Sequence, residues 1–167
     1  LCADDDYLSK AEDKRLHILR YGIDNRQADI LAEEISQGQD ETSFNILYRE
    51  KRMPAHIPCV GRHNVLNALA GFAAGVCLGI PPEKAAAALA NYRTTGLRQH
   101  VVPWRGATIV QDCYNASPDS MRAALETLAS YRAAGRKIAV LGDMLELGAS
   151  SENEHRAVGM FAAAKGI

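Results

Sequence analysis

The stretch VLNALAGFAAGVCLGI, residues 65–80, constrains this chain more than any other. It falls short of the roughly 20 residues that span a bilayer, and it carries Asn67, so it reads as a helix buried inside a folded domain. Val65, Leu69, Phe72 and Val76 recur at i, i+4, i+7 and i+11, which is one face of an α-helix. The spacing predicts a helix from His63 or Asn64 to Leu78, ended by Gly79. Pro81 and Pro82 open an Ala-rich second helix, with Glu83 in its first turn, where the helix dipole favours an acid. That helix fades near Tyr92.

Before this pair the chain mixes short strands with one helix. The polar stretch 7–15 suits a surface helix, and 17–22 is strand-like. Residues 28–37 fit helix or strand equally. In 42–50, Phe44, Ile46 and Tyr48 alternate, which predicts a strand. Residues 51–58 return beside it, and Pro54, which lacks an N–H, confines that return to a sheet edge.

The polar segment NYRTTGLRQH, with Thr94, Thr95 and Gly96 together, predicts a domain boundary. We therefore expect one domain over 1–95 and another over 96–167. Beyond the boundary the pattern becomes β-α-β-α. Residues 107–112 read as a strand and 137–142 as a second, apolar on both faces as parallel strands are. Between them Ser117 is an N-cap, Pro118 suits the first helical position, and Asp119 follows in the first turn. Met121, Leu125 and Leu128 form the apolar stripe, and Gly135 closes the helix. Ser151 with Glu154 reads as a capping box for the last helix. The expectation is a right-handed parallel βαβ unit.

Composition excludes several classes of function. At 47% hydrophobic and 23% charged, the chain is built to fold. Nineteen Lys and Arg against twenty Asp and Glu leave a net charge of −1 with no basic block, which argues against nucleic-acid binding. Cys2, Cys59, Cys77 and Cys113 show no paired spacing, and no signal peptide is visible, so the thiols read as reduced and the location as cytoplasmic. His56, Cys59 and His63 could be drawn as a metal trio, but no fourth ligand stands nearby and Pro54 and Pro58 make the segment a turn. We expect no metal site in this chain.

The chemistry gathers at strand-to-helix junctions. In open parallel sheets, ligands bind beyond the carboxyl ends of the strands. Asp112 ends one predicted strand, and Gly142 and Asp143 end the other, so DCYNAS and GDMLELG are expected on one rim. An acid at such an end accepts hydrogen bonds from ribose hydroxyls, or it merely caps a turn. Tyr114 and Asn115 in the same loop favour the ribose. Asn64 and Asn67, three apart, share one side of a helical turn, and their amides both donate and accept. The bland alternative is that Asn64 caps the helix and Asn67 is incidental.

DCYNASPDSM with LGDMLELG resembles the Mur ligases of peptidoglycan synthesis, and GRHNVLNALAG is similar to that family's Gly-x-His-Asn-x-x-Asn helix start. ADDD, residues 3–6, resembles the acidic end of a central-domain strand. The resemblance covers nearly the whole chain in the right order. It implies an α/β fold: the later part of a central ATPase domain, then the start of a Rossmann-like C-terminal domain. It implies an ATP-dependent ligase that joins D-alanyl-D-alanine to UDP-N-acetylmuramoyl-tripeptide through an acyl phosphate, monomeric when full length. Another Mur ligase, a folylpolyglutamate synthetase-like ligase or a noncatalytic nucleotide-binding module are the alternatives.

Residue by residue, the resemblance implies that His63, Asn64 and Asn67 contact adenine and that Asp112 holds the ribose. Arg98 would reach the ATP phosphates as the catalytic cation, with Arg93 and Arg105 as rivals. Tyr114 stands where other members carry a phosphate-contacting lysine. Asn115, Ser117 and Asp143 would touch substrate, while Glu146 touches it or shapes the loop. The chain holds no G-x-x-x-x-G-K-S/T loop. That loop and the Mg2+ ligands are therefore expected upstream, and the 167 residues alone are expected to be inactive. With strands missing over the helix at 64–78, the first part is expected to be less ordered than the βαβ part.

Overall fold

The computed structural model describes residues 1–38, 40–93 and 98–167. The chain divides into two compact units, Leu1–Arg93 and Thr94–Ile167. The boundary expected at Thr94, Thr95 and Gly96 lies outside the described residues.

In the first unit, β1 (Tyr21–Gly22), β2 (Ile30–Gln37), β3 (Thr42–Tyr48) and β4 (Lys51–Ile57) form one sheet in that order. β1 runs parallel to β2, and the other pairs are antiparallel. The segment 28–37, which fits helix or strand by sequence, becomes an interior strand because it finds partners on both sides. β3 buries Thr42, Phe44, Ile46 and Tyr48 in strict alternation. Pro54 sits in β4, which forms a sheet edge where no N–H is missed.

α1 (Arg62–Cys77) packs on this sheet, and α2 (Pro82–Ala88) on α1 and β4. Val65 and Leu69 are fully buried and Phe72 nearly so, with Phe44, Ile46, Tyr48 and Ile57 from the sheet in the same core. The Phe72 ring meets Tyr48 edge-on at 5.8 Å. This corrects one expectation. The apolar face of α1 is covered, because β1–β4 supply the layer that the sequence seemed to lack. α1 ends at Cys77, and just beyond it Gly79, with a φ of +85°, lets the N–H of Ile80 turn back to the carbonyl of Gly75.

A second correction concerns 7–15, where only Leu8–Lys10 form a single 3-10 turn. Asp5 Oδ1 accepts the N–H groups of Tyr7 and Leu8, and Asp13 Oδ1 that of Arg15. Acids that bond the backbone so locally compete with helix formation.

The second unit departs furthest from expectation. β5 (His100–Trp104) and β6 (Ala107–Gln111) make a two-stranded antiparallel hairpin. Residues 137–142 form no strand, and Val140 is 95% exposed. There is thus no parallel βαβ unit among the described residues. A strand exists only through a partner's hydrogen bonds, and among the described residues β6 pairs with β5 alone, leaving 137–142 without a strand partner. α3 (Pro118–Ser130) and α4 (Ser151–Ala164) pack together around Met121, Leu125, Met144 and Val158. α3 begins as predicted, with Ser117 and Ser120 exchanging side-chain and backbone bonds. It ends at Ser130, short of Gly135. α4 has no capping box. Ser150 is its N-cap without a side-chain bond, and Glu154 turns to Arg122 on α3 at 3.4 Å.

Candidate functional site

The first unit contributes the start of α1. Gly61 is the cap position and makes no side-chain cap. Asn64, one turn in, donates from Nδ2 to the carbonyl of Val60 at 2.7 Å and braces the helix entry. His63 and Asn64 are half-buried and Asn67 is exposed, while Val65 and Ala68 face the core. Asn64 therefore has a local structural task, and Asn67 is the more accessible amide of the two.

A brace that sequence reasoning missed lies beside this helix start. The half-buried Asp4 carboxylate accepts the N–H groups of Ile23 at 2.7 Å, Asn25 at 2.8 Å and Asp24 at 3.2 Å. Asp24 is in turn ion-paired with Arg62, the first residue of α1. Burial pushes the Asp4 carboxyl up, but the three backbone donors and the Arg62 charge outweigh it and hold the carboxyl below its ordinary range. The signal was present in ADDD, where an acid at a strand end faces the next loop's amides.

Within the second unit, the structure brings two predicted residues together. The guanidinium of Arg98 lies 4.6 Å above the ring of Tyr114, both side chains being exposed. The ring can thus steady a cation whose position the backbone alone would leave loose. The rival arginines are engaged elsewhere: Arg93 donates to the carbonyl of Tyr92, and Arg105 lies over Trp104. Asp112 directly follows β6 and is exposed. Asn115 Oδ1 accepts the N–H of Ala116 at 2.9 Å. The Ser117 hydroxyl is occupied in the α3 cap, which makes its local role structural.

Asp143 is 90% exposed, with Oδ1 3.8 Å from His155 Nε2. The next residue, Met144, is buried, and its N–H donates to the same Nε2 at 3.0 Å. His155 had no place in the sequence reading. Since 137–142 form no strand, Asp112 and Asp143 do not share the rim of a parallel sheet, which corrects that expectation.

Among the described residues, no three His, Cys, Asp or Glu side chains gather as a metal-ligating group. Cys59 is buried, which pushes its thiol up to about 11 and keeps it protonated at neutral pH. No helix among the described residues is long and apolar enough to cross a membrane.

Comparison with known proteins assigns both units. The Mur ligase middle domain matches residues 1–75, and the Mur ligase glutamate ligase domain matches 93–166. The chain is 42% identical over 132 residues to the UDP-N-acetylmuramoyl-tripeptide–D-alanyl-D-alanine ligase of Bacillus subtilis, covering 78% of this chain and 28% of that protein. It superposes on MurF from Acinetobacter baumannii with a TM-score of 0.82 at 31% identity, covering 89% of this chain and 32% of the other. Against the MurF ligase from Thermotoga maritima in complex with ADP, the TM-score is 0.79 at 25% identity, covering 96% and 36%. The chain thus spans about a third of the length of these relatives.

Proposed function

Because this chain belongs to the Mur ligase family, we propose that it is part of an ATP-dependent ligase joining D-alanyl-D-alanine to UDP-N-acetylmuramoyl-tripeptide. The observation that carries this reading is the 42% identity to the Bacillus subtilis ligase of that name. The solved relative in complex with ADP supports the nucleotide.

In the proposed reaction, a carboxylate oxygen of the tripeptide attacks the γ-phosphorus of ATP, and ADP leaves. The amine of the dipeptide then attacks the acyl carbon, phosphate leaves, and the amine gives up a proton. Such chemistry depends on positioning and on stabilising phosphate charge. Arg98 is assigned the developing charge, since a guanidinium is always ionised and fork-shaped. Tyr114 is assigned the task of holding it, on the strength of their stacking. Asp112 accepts from the ribose, and Asn67, with His63 and Asn64 beside it, meets the adenine. Asn115 and Asp143 are the proposed substrate contacts. Ser117 is a lesser one, given its cap. Mg2+, when bound, would neutralise phosphate charge, and its ligands are proposed upstream of Leu1. The reading carries with it a cytoplasmic location and a monomer.

Phosphate release by the polypeptide bearing this chain should require ATP, UDP-N-acetylmuramoyl-tripeptide and D-alanyl-D-alanine together. Turnover with L-alanine or D-glutamate as the amine would assign a different ligase. In the active enzyme, Asp112→Ala should raise the KM for ATP roughly ten- to a hundredfold, the loss of about 1.5–3 kcal/mol from one charged hydrogen bond. Arg98→Lys should lower kcat, and a larger loss from Arg93→Lys or Arg105→Lys would transfer the role. The 167 residues by themselves should bind ATP weakly and turn none over, which calorimetry and a phosphate assay would check.

A further inference from the structure

We infer that His155 is a positioning residue for the 142–147 loop: as the neutral imidazole protonated at Nδ1, it holds the Met144 amide and so fixes where Asp143 is presented. Both ring nitrogens have partners, and the partners determine the tautomer. Nδ1 lies 2.8 Å from the carbonyl of Ser151, which can only accept, so Nδ1 carries the proton. Nε2 receives the N–H of Met144 at 3.0 Å, and an N–H can only donate, so Nε2 must offer its lone pair. The first contact requires a proton on Nδ1 and the second excludes one from Nε2, so together they select a single neutral tautomer.

The anchor reaches a rigid place. The Met144 side chain is buried with Met121, Leu125 and Val158, and Val158 lies one turn beyond His155 on α4. Met144 is thereby fixed at its side chain by the core and at its amide by the imidazole. Asp143, one residue earlier, is held at the surface with its carboxylate 90% exposed.

The same geometry makes the anchor sensitive to protons. A proton on Nε2 evicts the Met144 N–H and turns a new donor toward Asp143 Oδ1, now 3.8 Å away. The charges nearest His155 in sequence on α4 are paired. Glu154 on α4 meets Arg122 of α3, Arg122 also lies 4.0 Å from Asp119, and Glu152 meets Arg156. Asp143 is therefore the acid placed to receive the imidazolium. On the neutral side the loop is anchored and Asp143 is free to meet a ligand. On the acid side Asp143 is drawn to His155 and the loop amide is released. That Asp143 serves substrate rests on the proposed ligase function, whereas the anchor does not.

The test uses the 167-residue chain labelled with 15N. Long-range proton–nitrogen spectra between about pH 5 and 8, the range in which histidine titrates, report the state of each ring nitrogen. The expected result at the upper end is an unprotonated Nε2 and a protonated Nδ1, with the Met144 amide resonance shifting in step with His155 as the pH falls. In His155→Phe the Met144 amide should exchange about tenfold faster, one hydrogen bond's worth. His155→Gln should restore protection without the pH step, because a side-chain carbonyl accepts but does not titrate. A proton on Nε2 at neutral pH, or a Met144 amide indifferent to the His155 titration, overturns the inference. Those two readouts come from the unaltered chain, so they decide even if His155→Phe unfolds α4. A failed ligase assay would leave this result standing, and a failed anchor would leave the ligase assay untouched.

Discussion

The two units each contain a hairpin closed by the same kind of turn. In β3–β4 the turn is Arg49-Glu50, and in β5–β6 it is Arg105-Gly106; all four residues have positive φ. In both, the arginine lies 5.1 Å over the aromatic ring just before it, Tyr48 or Trp104. Yet the first hairpin buries a full face, and the second exposes every strand residue except the half-buried Val102. The difference is the layer above. α1 lies on β1–β4, whereas β5–β6 is a two-stranded sheet with two edges, a form that is marginal in water without packing. Turn chemistry sets register, and burial depends on what the rest of the chain brings to the face.

Removing that layer's central ring is the strongest way to break the comparison. Phe72→Ala should cost about 3–5 kcal/mol, a large share of an ordinary domain's stability. Denaturant unfolding and amide exchange in β3 would both report the loss. Trp104→Ala, at a ring 56% exposed, should cost far less. Equal losses would mean that the second hairpin is covered in solution.

The units also differ in how they use an acid at a strand end. Asp4 is tied down by three backbone donors, while Asp112 stands exposed. Asp4→Ala should destabilise the first unit by about 1.5–3 kcal/mol. The pH dependence has a definite sign. The Asp4 carboxyl is lowered in the folded state, so its contribution is complete above the unfolded value of about 3.9 and is lost as pH falls through the folded one. Acid titration should thus narrow the gap between Asp4→Ala and the unaltered chain below about pH 4. A gap that stays constant there would mean that the charge is not what holds the 23–25 turn.

What was legible in the sequence was local. The period of α1, the alternation of β3, Pro54 at an edge and the Ser117 cap each depend on residues within one or two turns of chain. What was misread depended on distance. Lys137, Ile138, Ala139, Val140 and Leu141 look like an interior strand, but a strand also needs a neighbour. Glu154 looks like half of a capping box, but Arg122 reaches it from another helix. His155 is a lone histidine in a polar helix, and the amide that gives it meaning lies 11 residues back. Residues 7–15 failed for the opposite reason, since Asp5 and Asp13 bond backbone amides two or three residues away that a helix would have needed.

The turns themselves offer a smaller test. Left-handed backbone costs a non-glycine residue about 1–2 kcal/mol. Glu50 holds φ +64° with a side chain, whereas Gly106 holds +81° without one. Glu50→Gly should therefore stabilise the first hairpin by about 1 kcal/mol, and Gly106→Ala should weaken the second by a similar amount. A Cβ at Gly106 would meet nothing within 4 Å, so that change isolates backbone strain from packing. If Glu50→Gly is neutral, the unfolded chain's extra freedom has offset the relief.

The smallest expected effect is the sharpest probe of the second unit. Val140 is 95% exposed although it sits in a run that looks like the core of a parallel sheet. A substitution on open surface changes stability by no more than about 0.5 kcal/mol, so Val140→Lys should be nearly silent in denaturant unfolding of this chain. Leu125→Ala, at a side chain 1% exposed between α3 and α4, serves as the positive control and should cost about 2–5 kcal/mol. The two variants together separate two states of the second unit. If only Leu125→Ala is felt, the helix pair carries the unit and 137–142 lies open, as the structure has it. If Val140→Lys costs even about 2 kcal/mol, the valine is buried in solution. The segment has then found a partner strand, and the parallel arrangement that its sequence suggests is the one this unit adopts.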